Sequence, residues 1–218
     1  MPGEECGEVS LETLKSWLTE GVERPERLEH VRFVVLEERR SDGKLEAFKA
    51  TSPSIPVTLS VADLGSSPIP AYRVSIETSV ATVDMEAERK LRVYRALLLL
   101  SKLPLVKVYL YTEEHAIALA VDLDKRSLGR REFNDAIAAL AIAYSLLVRE
   151  LGLEEEASAE ALRNLQLLAA AQLREGRSRG EVEEVLVKAG LPRELADKIV
   201  ESVYGAEAGV EGGEGFYT

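Results

Sequence analysis

The chain has 218 residues, 46% hydrophobic and 30% charged, enough for one substantial core and a small second unit but not for a large multidomain enzyme. Lys and Arg number 27 against 38 Asp and Glu, a net charge of -11, which excludes a globally basic nucleic-acid binder and leaves only a local basic patch. A single cysteine, Cys6, and two histidines, His30 and His115, exclude an internal disulfide framework and any cysteine-based zinc site.

In chain order, Ser10 is a plausible N-cap, and Leu11, Leu14, Trp17 and Leu18 recur at helical spacing, predicting an amphipathic helix over 11–20. Val31 to Leu36 reads as a strand by β-branched and aromatic content. Ser41-Asp42-Gly43-Lys44 predicts a hairpin through a type I′ turn, because Asp-Gly accepts positive φ. The return strand runs from Leu45 to Ala50, and Val57 to Val61 is a short strand or edge piece after the breaker Ser52–Pro56. Tyr72 to Val83 is a long strand with Val74, Ile76 and Val80 on one face.

Asp84 then caps a helix over 86–102 that carries Glu86 and Glu88 in its first turn, the sign the dipole favours there. Pro104 stops it. Val106–Tyr111 and His115–Leu123 form a second hairpin, and a long helix over 131–151 is apolar on nearly every side. After Gly152 the pattern is purely helical: 154–175, then a segment opened by the capping-box spacing of Ser178 and Glu181, then 193–204. The order is that of an α+β fold, an antiparallel sheet packed by helices, with an all-helical C-terminal extension.

The acidity lies at the two ends: residues 1–30 hold eight acidic and three basic groups, residues 151–218 fourteen and seven. This predicts a flexible start over 1–9, a compact domain over 10–152, a helical unit over 153–204 and a frayed tail over 205–218. The acidic opening Met1-Pro2-Gly3-Glu4-Glu5 lacks signal-peptide order, and the longest charge-free apolar stretch, 136–148, is 13 residues, short of the roughly 20 a membrane span needs. A soluble cytoplasmic protein is expected. Asn134, Asn164, Gln166 and Gln172 are the only side-chain amides, a depletion typical of thermophilic proteins.

Candidate chemistry is sparse. Glu113, Glu114 and His115 share one tight turn and read as solvated turn chemistry rather than converging metal ligands. Asp122 and Asp124 lie on one strand face and could hold a hard cation, but without a third carboxylate the strand-exit and helix-capping role is the better reading. Lys125, Arg126, Arg130 and Arg131 flank a helix start, where free amides and cations could dock phosphate or an acidic partner; the glycine-rich phosphate loop is missing, and a solvated loop is favoured. Arg89, Arg92 and Arg95 form an exposed stripe opposite Glu86 and Glu88. Cys6 sits beside Glu4 and Glu5, which raise a thiol's pKa and disfavour activation. No catalytic set, metal site or cofactor site is expected.

The second hairpin points instead to binding. Ile117, Leu119 and Val121 form one face and Ala116, Ala118 and Ala120 the other, while Tyr109 and Tyr111 lie opposite Val106, Val108 and Leu110 on the partner strand. Both faces are apolar, so both are expected to be covered, by the C-terminal helices or by a second subunit. With the apolar helix over 131–151, this predicts a homodimer built on the hairpin or that helix.

Residues 10–151 resemble the type III secretion chaperone-like fold, particularly its YbjN-type relatives, in the order α-β-β-β-α-β-β-α. The closest stretch is Tyr94-Arg95-Ala96-Leu97-Leu98-Leu99-Leu100-Ser101-Lys102-Leu103-Pro104-Leu105-Val106-Lys107-Val108, followed by the hairpin and the last long helix. The resemblance implies a non-enzymatic, often dimeric protein that binds extended protein segments. Glu181 to Tyr204, with the loop Lys188-Ala189-Gly190-Leu191-Pro192 at its first turn, resembles a ubiquitin-associated-type or helix-turn-helix three-helix unit. The expected function is a non-catalytic protein-binding or chaperone-like module. The alternative is a nucleic-acid-associated or regulatory factor using the C-terminal helices and the Lys125–Arg131 loop, against which the last helix sets Glu194, Asp197 and Glu201.

Overall fold

A computed structural model describes residues 9–23, 30–65, 69–111, 113 and 115–211. Helix α1 spans Leu11–Glu20; Ser10 caps it, its Oγ accepting from the Thr13 N–H at 3.2 Å. Gly21 ends it at φ +122°, where a Cβ would fall 2.7 Å from His30 Cβ, so the chain can turn this closely only with glycine.

The expected strand over 31–36 is two pieces. Val22–Glu23 (β1) pairs with His30–Val31 (β2) in a small ribbon, and Val34–Arg39 (β3) begins the main sheet. Between them the Phe33 N–H donates to the Leu18 carbonyl at 3.1 Å while its ring is buried; docking on the end of α1 takes this residue out of the ladder. The sheet continues with β4 (Leu45–Ser52), β5 (Val57–Asp63), β6 (Ala71–Ala81), β7 (Lys107–Leu110) and β8 (Ala116–Asp124). Its order is β3-β4-β5-β6-β8-β7, and every adjacent pair is antiparallel. The 57–61 segment is therefore an internal strand rather than an edge piece.

The β3–β4 turn also differs from expectation. The Gly43 N–H donates to the Arg40 carbonyl at 2.9 Å, making Ser41 and Asp42 the central residues; Gly43 has φ +81° and Asp42 is not in the positive-φ region. This fits a type I turn followed by a left-handed glycine, with the Asp42 carboxylate accepting from the Lys44 N–H.

Helix α2 (Ala87–Leu100) joins β6 to β7, and α3 (Arg130–Leu151) follows β8. Glu86, not Asp84, is the N-cap of α2, because Asp84 belongs to the turn leaving β6. On one face of the sheet α1 lies over β3, β4 and β5, α3 lies over β6 and β8, and α2 flanks α3. From α2 the chain runs directly into β7, the last strand of the sheet. Phe48, Leu59, Ile76, Leu119, Phe133 and Leu140 are fully buried between these layers, and Trp17 meets Phe133 with ring centroids 5.7 Å apart.

Helices α4 (Glu154–Arg174), α5 (Arg179–Lys188) and α6 (Arg193–Glu211) close around Leu168, Val182, Leu186, Ala196 and Ile199. The Ser178–Glu181 capping box opens α5 as expected. Helix α6 continues past Tyr204 through Ala206 and Ala208 to Glu211, absorbing two glycines at about 1 kcal/mol each, so the helix runs further than the composition implies. This unit docks on the second face of the sheet: α4 crosses β3, β4 and β5, Val34 joins its core, and Asn164 Nδ2 donates to Thr58 Oγ1 at 2.9 Å.

Candidate binding surfaces

The alanine face of β8 is buried within the chain. Ala118 lies between Glu77 and Tyr109, Ala120 between Ser75 and Lys107, and Asp122 opposite Arg73. Ala116, Ala118 and Ala120 are all buried. Long side chains of the flanking strands lie across the small ones. Arg73 Nε and Nη2 donate to the two Asp122 oxygens at 2.7 and 3.0 Å, Lys107 Nζ reaches the same carboxylate at 2.9 Å, and the Arg73 guanidinium sits 5.3 Å from the Tyr109 ring centre. The Arg73 guanidinium, ahead of Lys107, holds the Asp122 carboxyl down at about 2. Tyr111 is 39% exposed and its hydroxyl donates to the Thr78 carbonyl at 3.4 Å. Around Ala118 and Ala120 the flanking strands' own side chains supply cover, while toward Tyr111 helix α4 comes up to this face, Glu160 and Asn164 lining one hollow with Glu77, Thr78, Ser79 and Tyr111.

The Lys125–Arg131 loop holds its cations close to carboxylates. Lys125 is buried, its Nζ 2.6 Å from Asp63 Oδ1 and 4.6 Å from the Tyr72 ring centre. Arg126 pairs with Asp124 at 2.6 Å, and this pairing holds the Asp124 carboxyl down at about 2. Arg130 reaches Glu20 of α1 at 2.9 Å. Arg131 is exposed and has no carboxylate partner among the described residues. Three of the four cations tie the loop to the sheet and to α1, leaving one for a phosphate backbone.

Asp122 and Asp124 share a strand face as expected, but each faces a cation of the chain. Asp124 caps no helix: it accepts from the Arg126 N–H at 3.0 Å, and α3 is capped at Gly129, whose N–H donates to Glu132 Oε2 at 3.1 Å. His115 stands at φ +54°, and its carbonyl accepts from the Thr82 hydroxyl; Glu114 and Cys6 lie outside the described residues. Among the described residues no three His, Cys, Asp or Glu side chains gather as metal ligands. Within the Arg89, Arg92 and Arg95 stripe, Arg92 pairs with Glu88 at 3.9 Å.

One groove was not foreseen in sequence. A groove of about 620 Å³ runs along the second flank of α3. Val22, Val31, Phe33 and Val57 form its floor, Ala138, Ala141, Ile142 and Leu146 one wall, and the β4–β5 turn Ser54-Ile55-Pro56 the other. Ser145 and Arg149 stand at its rim; Arg149 is exposed. Ile142 is 48% exposed although its neighbours Ala143 and Tyr144 are buried. The sequence signal was the nearly continuous apolar surface of 131–151, but nothing local showed that the β4–β5 turn would stand opposite it.

The fold is an α+β layer with helices on both faces of an antiparallel sheet. Residues 13–151 match the family described as Domain of unknown function (DUF8183), and the chain belongs to that family. No curated protein and no solved structure matches the chain. No helix among the described residues is long and apolar enough to cross a membrane.

Proposed function

We propose that this chain is a non-catalytic, chaperone-like protein-binding module that works as a homodimer. The groove beside α3 carries the reading. From Ile137 to Arg149 it follows about 18 Å of helix axis, enough for three turns of a partner helix or five to six residues of extended chain. Its floor is aliphatic and aromatic, its lining includes Ser54, Ser145 and Arg149, and Ile142 keeps half its surface in water. Exposed apolar surface gathered in a concavity marks a contact site. The matching partner segment is apolar along one side and acidic where it meets Arg149. A dimer presents two such grooves and so binds repeated segments of one partner with raised effective concentration.

Affinity purification from the native organism with the wild-type chain and Ile142→Arg tests this. The exposed position tolerates the substitution, so circular dichroism should be unchanged while the captured partner is lost. Recovery of the same proteins by both baits would remove the groove from consideration.

A further inference from the structure

Helix α2 buries Val93, Ala96 and Leu100 against the core and turns Leu91, Tyr94 and Leu98 outward. Those three lie within about 60° of one another around the helix axis, a single stripe. Leu91 is 68% exposed and Leu98 71%, values a soluble surface does not need. The stripe lies on the side of α2 opposite its buried residues; α2 packs on α3 and leads directly into β7, the last strand of the sheet. Leu105, 61% exposed, lies in the chain between α2 and β7, and Leu110, 47% exposed, ends β7.

The two sheet edges contrast. On β3 the outer half carries Glu37, Glu38 and Arg39, with Glu37 and Arg39 paired to each other and to Lys15 and Glu12 of α1; charges of this kind keep an edge single. On β7 the one charge is Lys107, and its ammonium is drawn onto Asp122 at 2.9 Å. Every second backbone N–H and C=O of β7 points away from β8, ready to pair.

From this we infer that the occupant of the α2–β7 side is a second copy of this chain, with β7 pairing antiparallel to its own copy and α2 packing on α2. The inference rests on the homodimer reading above and names its interface. One two-fold axis normal to the sheet satisfies all the features together. It makes β7 antiparallel to its partner, keeps the helix layers of both copies on one side, and brings the leucine stripes face to face, turning two six-stranded sheets into one of twelve strands. The areas agree. A standard interface removes about 800 Å² per partner, of which somewhat more than half is apolar; Leu91, Tyr94, Leu98, Leu105 and Leu110 together offer about 500 Å² of accessible side chain.

Static light scattering of the full chain over a range of concentrations, with Leu98→Glu and Leu91→Glu beside it, is the first measurement. The expected mass is twice the 23.9 kDa of the chain, halving in either variant with an unchanged far-ultraviolet spectrum, while Ile142→Arg on the groove stays dimeric. The second measurement is independent of those substitutions: a nitroxide at Lys107→Cys in a Cys6→Ser background, read by pulsed electron resonance. Paired β7 strands bring the two labels within about 20 Å, given the strand spacing and residue rise. A mass of one chain at every concentration overturns both the dimer and its interface. A dimer that survives both glutamates, or labels well beyond that distance, overturns the interface and leaves the dimer standing.

Discussion

Replacing Asp122 by Asn removes the charge that two cations share without changing the shape of the side chain. Asp122 is only 18% exposed at its side chain, while Arg73 and Lys107 remain at 34% and 61%. Its carboxyl is drawn from the ordinary 3.8 to about 2, first by Arg73 and then by Lys107. At about 1.4 kcal/mol per pKa unit this difference corresponds to about 2.5 kcal/mol, and solvent around the two cations reduces it to about 1–2 kcal/mol. The sign follows from linkage. A carboxyl with a folded value below its unfolded one adds stability that is complete above the unfolded value and disappears as pH falls through the folded one. Asp122→Asn should therefore lie about 1–2 kcal/mol below wild type in urea unfolding at pH 7, and the gap should shrink steadily below pH 4. A gap that is absent at pH 7, or that stays constant down to pH 2.5, would refute the assignment of this network as the brace of the β6–β8–β7 face.

Two further outcomes follow from the same geometry. Gly190 stands at φ +107°, and a Cβ there would lie 2.6 Å from Ser54 Oγ; Gly190→Ala should cost about 2 kcal/mol or more, and adding Ser54→Ala should return the part due to the collision but not the backbone strain. Equal losses in the single and double variants by chemical denaturation would show that no collision occurs. Ala118→Glu places a carboxylate at a position with 0% exposure between Glu77 and Tyr109, so it should lower stability by about 3 kcal/mol or more. Thermal melting at full wild-type stability would mean that the flanking side chains do not close this face.

The sequence located elements better than partners of elements. The helical spacing of Leu11, Leu14 and Leu18, the capping box at Ser178 and the positions of β6 and β8 all follow from local periodicity. What failed depended on distant contacts. Phe33 is taken from its strand by the end of α1. The basic loop was read as solvated, yet Lys125 reaches Asp63, 62 positions earlier in the chain, and Arg130 reaches Glu20; no window of neighbouring residues contains those pairings. The groove was invisible for the same reason, since its two walls are some eighty residues apart.

The alanines of β8 show how one sheet can be covered in three ways. Its helix face is sealed by α1, α3 and α2, and the β3–β5 part of the second face by α4. Over Ala118 and Ala120 of β8 the cover comes from the neighbouring strands, with Tyr109 and Lys107 beside the small side chains and the charged ends of Arg73 and Lys107 on Asp122. A two-sided apolar hairpin therefore did not demand a partner at that face. The apolar surface left over lies elsewhere, on the outer stripe of α2 and the free flank of α3, and these point in different directions from the same layer. One flat stripe beside an open strand edge is suited to a copy of itself, and one concave flank with a cation at its end is suited to a different chain. Assembly and recognition can then proceed without competing for the same residues.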